Sequence, residues 1–139
     1  MRFIVCYENN PPGKSALKLA QQHARIWQAD LEVVSALTRD EPINHKRLKE
    51  MEEQLESEIR ALLTEPPRNL SISLLIDDLG AGNQVVNFAE RKRADLIFLG
   101  IKKKSRVGKM LFGSNAQYII INATCPVVCV HSHRNEIDV

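Results

Sequence analysis

The residues best placed to do chemistry lie in one stretch, Gly100-Ile101-Lys102-Lys103-Lys104-Ser105-Arg106-Val107-Gly108-Lys109-Met110-Leu111-Phe112-Gly113-Ser114-Asn115. Five cations fall within the nine residues after Gly100. An apolar run ends at Gly100, and Gly113-Ser114-Asn115 opens a helical pattern. The free N–H groups of a helix's first turn, aided by the helix dipole, attract anions. Gly113 permits close backbone approach, Ser114 adds a hydroxyl, and a neighbouring Lys or Arg adds charge-assisted hydrogen bonds of about 1.5–3 kcal/mol each. The pattern fits a phosphate site. It equally fits a Gly-Ser helix cap beside a solvated lysine loop.

Other chemistry is poorly represented. There is no GxxxxGK[ST] phosphate loop and no GxSxG nucleophile elbow. Asp77-Asp78 ends a strand and reads as a polar loop rather than a metal pair. His23, His45, His131 and His133 show no zinc spacing, and His45 and the His131–His133 tail read as surface. No catalytic residue and no metal ligand is assigned. Cys6, Cys125 and Cys129 form no CxxC pair, and Cys6 and Cys129 sit in apolar runs expected to bury a small thiol. A net charge of +2 over 139 residues gives no global field for nucleic acid or an anionic membrane, so any anion site is local. The chain opens directly on a strand-like run without a signal peptide, and no apolar stretch approaches the ~18–20 residues of a membrane span. A cytoplasmic protein without membrane or nucleic-acid partners is expected.

The elements that must position the loop alternate in type. Phe3–Tyr7 is an apolar run rich in β-formers, and Asn9-Asn10-Pro11-Pro12-Gly13 breaks it. A helix from about Lys14 places Ala16, Leu17, Ala20, Ala24 and Trp27 near one face. Strands are expected over Asp30–Leu37, Leu70–Ile76, Ala94–Leu99 and Pro126–His131. Between them lie a strongly amphipathic helix through Leu48, Met51, Leu55, Ile59, Leu62 and Leu63, stopped by Pro66-Pro67, then helices over Gly80–Lys92 and from Gly113-Ser114 to Ile121. The order β-α-β-α-β-α-β-α-β implies right-handed crossovers and one doubly wound five-stranded parallel sheet with helices on both faces, a Rossmann-like or flavodoxin-like α/β domain over residues 1–139. Such sheets bind ligands at the carboxyl ends of their strands, here the loops after Tyr7, Leu37 and Gly100.

The stretch resembles the universal stress protein family, whose loop after the fourth strand reads Gly-x2-Gly-x9-Gly-Ser/Thr. Gly100, Gly113 and Ser114 match; Lys103 takes the place of the middle glycine, and Arg106 stands where GRxG members have another. Ala94-Asp95-Leu96-Ile97-Phe98-Leu99-Gly100 is similar to the family's ADLIVMG, and Cys125-Pro126-Val127-Val128-Cys129-Val130 to its CPVLVV. The likeness runs from Phe3 to Val130 and implies the adenine nucleotide alpha hydrolase-like variant of the fold. It implies a stress-response or signalling regulator that binds ATP or a related adenine nucleotide, with Mg2+ held mainly by the phosphates. Gly100, Gly113, Ser114 and Asn115 would surround the phosphates, with Lys103, Lys104 and Arg106 nearby. Base and ribose would lie between Tyr7-Glu8 and the strand end near Ala36-Leu37, with Glu8 replacing the family's Asp and Asn9-Asn10 its Gly-Ser. Lys103 and Arg106 lack glycine's freedom at positive φ, so they either obstruct the loop or supply charge in place of backbone donors. The resemblance also implies a homodimer through the last strand, Val127–Val130. Two other functions fit the same residues: a dimeric module that contacts a protein partner without nucleotide, and a slow ATPase.

Overall fold

The computed structural model describes residues 1–102 and 112–132. Five strands, β1 (Arg2–Cys6), β2 (Asp30–Thr38), β3 (Leu70–Asp77), β4 (Leu96–Gly100) and β5 (Val127–Val130), alternate with four helices, α1 (Pro11–Trp27), α2 (His45–Leu62), α3 (Ala81–Lys92) and α4 (Ser114–Asn122). The strands pair in parallel in the order β3-β2-β1-β4-β5. The expected doubly wound α/β fold is therefore the one observed.

The period-two alternation of β1 divides the core. Phe3, Val5 and Tyr7 join Leu31, Val33 and Phe98 in a cluster with Ala16, Leu17 and Ala20 of α1 and Ile59 of α2. Ile4 joins Val34, Ile97 and Leu99 in a second cluster with Val85, Phe88 and Ala89 of α3 and Ile119 of α4. Residues that follow one another along a strand thus face opposite helical layers, which is why the central strands are apolar without interruption. Among the described residues no helix is long and apolar enough to cross a membrane.

Three expectations need correction. Helix α1 starts at Pro11 rather than near Lys14. The prolines do not break it, because at the first two helical positions their missing N–H groups have no intrahelical partner to lose and their φ is already helical. Trp27 is 60 % exposed and does not share the buried face of α1; it is the last residue of the helix, just before Gln28 turns left-handed at φ 53°. Cys129 is exposed, because β5 is the edge of the sheet.

Candidate functional site

The sheet order makes β1 and β4 neighbours whose outgoing chains diverge. From β1 the chain enters α1, which packs with the first core cluster; from β4 it leads to α4, which packs with the second. Diverging crossovers leave a crevice at the carboxyl ends of the two strands. A cavity of about 300 Å³ lies there, at the lower end of the range for small-molecule pockets. Its lining comes from Glu8 and Asn10 after β1, from Gly100, Ile101 and Lys102 at the end of β4, from Gly113, Ser114 and Asn115 at the start of α4, and from Ala81 and Gly82 of α3.

Glycines make the junction under the cavity possible. A Cβ on Gly100 would stand 2.5 Å from the carbonyl carbon of Pro12, and one on Gly13 would stand 2.0 Å from the carbonyl oxygen of Glu8. Strand β4 therefore ends against the first turn of α1, and only hydrogen fits between them. Gly113 is different: among the described residues nothing lies within 4 Å of the position its Cβ would take.

Three helices begin at this cavity. At α1 the Asn10 side chain accepts from the Gly13 N–H at 2.8 Å, and its amide donates to Glu8 Oε2 at 3.0 Å. At α3 the first position after the Gly80 cap is open, but the Gly82 N–H donates to Asn115 Oδ1 at 3.0 Å. At α4 the cap is Gly113, which has no side chain to offer, and no side-chain hydrogen bond closes the end among the described residues. The first-turn N–H groups of α4 are thus free donors beside the Ser114 hydroxyl and the exposed Lys102 ammonium. A concave surface lined by helix-end N–H groups, a cation and a carboxylate suits an anion joined to a hydroxylated group.

A model of the Universal stress protein family matches residues 1–131. The chain belongs to that family. A universal stress protein of Methanocaldococcus jannaschii is 44 % identical over 54 residues, a match spanning 39 % of this chain and 32 % of that relative. One from Thermus aquaticus is 29 % identical over 136 residues, 92 % of this chain and 96 % of the relative. Among solved structures, a universal stress protein from Archaeoglobus fulgidus superposes with a TM-score of 0.73 at 27 % identity, over 94 % of this chain and 98 % of that one. The structure of the universal stress protein from Archaeoglobus fulgidus in complex with dAMP gives 0.67 at 23 % identity, over 94 % and 97 % of the two chains.

In this universal stress protein Glu8, Gly100, Gly113, Ser114 and Asn115 all line one cavity. Gly100 also serves packing, and Asn115 already spends its amide oxygen on α3. Lys103, Lys104 and Arg106 lie outside the described residues. Leu37 does not border the cavity; Ala36 does, because adjacent residues of β2 point to opposite faces. Tyr7 borders the cavity, yet it belongs to the core cluster of Phe3 and Val5 and is 2 % exposed, which leaves no open ring face for a base to stack on. Its buried hydroxyl makes no hydrogen bond of good geometry, and burial together with the neighbouring Glu58 carboxylate pushes the phenol up.

Three contributions escaped the sequence reading. Ala81 and Gly82 come from a helix start with no motif, signalled only by Gly80. Lys102 was hidden inside the basic run. Cys6 lines the cavity, but burial, with Glu8 adding to it, pushes its thiol up to about 12, so it is a neutral thiol at pH 7 and no nucleophile. Asp78 pairs with Arg39 at 3.1 Å, and the described residues hold no group of three or more His, Cys, Asp or Glu that could take a metal.

Proposed function

We propose that this universal stress protein binds an adenine nucleotide in the β1–β4 cavity and acts as a ligand-responsive regulator in the cytoplasm. The observation that carries the reading is the open end of α4: an uncapped first turn of N–H groups facing a cavity, beside Ser114 and Lys102. Phosphates dock there, where backbone dipoles and a cation favour negative charge. The Glu8 carboxylate, held by Asn10, accepts from the sugar on the opposite wall, and the base lies toward Ala36. The dAMP complex of the Archaeoglobus fulgidus protein supports the assignment of ligand class. Glu8 is the one carboxylate among the described residues lining the cavity, so a Mg2+ ion carried in with ATP takes most of its ligands from phosphate oxygens and water.

Calorimetric titration with MgATP and with dAMP tests this. Micromolar binding is expected; absence of heat at millimolar nucleotide, with no nucleotide in the purified protein, overturns it. Phosphate release during the titration would instead point to slow hydrolysis.

The same reading includes a homodimer through β5. This edge strand presents Val127–Val130 with Cys129 exposed, and Ile121 of the preceding helix is 77 % exposed. A parallel edge that no described element covers invites pairing. Sedimentation velocity should show a dimer that Cys129→Lys weakens; a monomer at all concentrations rejects it.

A further inference from the structure

Glu8 is carried into the cavity by a short loop, and that loop is fastened from an unexpected direction. The Asn9 side-chain amide donates to Glu58 Oε1 at 2.9 Å, across 49 residues of sequence. Glu58 belongs to α2, which does not line the cavity. Elsewhere on α2, Arg60 pairs with Glu56 within the helix at 2.9 Å. Among the described residues Glu58 is the α2 side chain that hydrogen-bonds beyond its own helix. The next links lead into the site. Asn10 N donates to the Glu8 carbonyl at 2.9 Å, and Asn10 Nδ2 donates to Glu8 Oε2 at 3.0 Å. On the strand side of the same loop, the buried Tyr7 hydroxyl stands beside Glu58, and the carboxylate adds to the forces that push its phenol up.

We propose that Glu58 is a positioning residue for the ligand site: by accepting from Asn9 it fixes the β1–α1 loop, and thereby the direction in which Glu8 presents its carboxylate to the nucleoside. The proposal rests on the nucleotide reading above for its ligand. Glu58 touches neither the ligand cavity nor α4, so its influence falls on one wall only. Removing the carboxylate leaves the Asn9 amide and the Tyr7 hydroxyl without their neighbour and frees the loop to sample other geometries. The phosphate wall, built from α4, keeps its geometry. This gives the residue a signature that a purely stabilising role lacks: loss on the nucleoside side without loss on the phosphate side.

The test compares MgATP with inorganic tripolyphosphate in calorimetry of the full chain. Glu58→Ala should weaken MgATP by about three- to tenfold, the range of one to two hydrogen bonds, and leave tripolyphosphate unchanged. Glu58→Gln keeps an acceptor oxygen and should stay within about twofold of wild type. Asn9→Ala breaks the same bond from the other end without altering α2 and should copy Glu58→Ala. Equal losses for both ligands, or unchanged MgATP affinity in a folded Glu58→Ala protein, overturn the proposal. Amide hydrogen exchange of the unliganded protein provides a readout independent of nucleotide: exchange at Asn9 and Asn10 should quicken in Glu58→Ala while the α4 amides hold. If wild type takes neither ligand, the nucleotide reading falls, and exchange at Asn9 and Asn10 alone decides whether Glu58 fixes the loop.

Discussion

Helices α1 and α4 start at the same cavity, on opposite faces of the sheet, and their first turns are built in opposite ways. In α1 the first two positions are Pro11 and Pro12, which have no N–H; the Gly13 N–H goes to Asn10 Oδ1 and the Lys14 N–H to the Asn10 carbonyl at 3.0 Å. Every N–H position of that turn is absent or used. In α4 the first internal bond is from Gln117 to the Gly113 carbonyl at 3.0 Å, so Ser114, Asn115 and Ala116 present their N–H groups with no acceptor among the described residues. One helix end is closed by its own sequence, and the other is open among the described residues. A dipole is common to both; the difference lies in whether donors remain to express it. Helix α3 falls between them, with Gly82 capped from α4 by Asn115.

Substitutions can push each end toward the character of the other. The largest effect is expected at the closed end. Gly100→Val places a branched side chain where even a Cβ meets the Pro12 backbone at 2.5 Å, and should destabilise the fold by about 3 kcal/mol as α1 is forced off β4. Thermal denaturation would show it as a lowered midpoint. At the open end, Gly113→Asp meets no steric obstacle and supplies the missing cap. It should raise stability by a few tenths of a kcal/mol while weakening nucleotide binding at least about tenfold, because a fixed carboxylate now competes for the same N–H groups. Opposite signs in melting and calorimetry would establish α4 as the anion wall; no loss of affinity would remove it. Asn10→Ala opens α1 and should cost about 1 kcal/mol in denaturant unfolding. It adds no anion site, since both prolines still lack donors.

A smaller effect concerns pH. Cys6 lies between the two ends, and burial raises its thiol from 9.0 to about 12 in the folded state. The unfolded chain therefore loses this proton first. The stability held by the protonated thiol is complete below pH 9 and falls as pH rises toward 12. Tyr7, also raised by burial from 10.0, adds to the loss above pH 10. Melting temperatures of wild type and Cys6→Ala between pH 8 and 11 should converge as the solution becomes alkaline; parallel curves would show that Cys6 is not the titrating group.

The fold was legible in the sequence because it depends on periodicity. Continuous apolar runs such as Leu96–Leu99 and the spacing of Leu55, Ile59 and Leu62 report burial on both faces or on one, whatever their partners. The start of α4 was legible for a similar reason, since Gly113-Ser114 marks a helix end locally. What escaped notice depends on pairs distant in sequence. Asn10-Pro11-Pro12-Gly13 reads as a break until Asn10 is seen to cap the turn that follows. Leu37 and Ala36 cannot be ranked until the face of β2 toward α3 and α4 is known. Nothing local reveals that the Asn115 side chain caps Gly82, and Glu58 carried no signal at all inside a charged helix.

The strand order also bears on how the chain is made. Residues 2–77 hold β1, β2 and β3, which pair with one another and can form half a sheet while the rest is still being synthesised. The free edge of β1 must wait for Leu96–Leu99, which pair with Phe3–Cys6. The cavity sits across that seam, so it does not exist until the late half has docked on the early one. A ligand there binds only the completed molecule and adds its binding free energy to the junction of the two halves. Once the two halves have docked, such a ligand would act as a clasp across that seam and oppose its reopening.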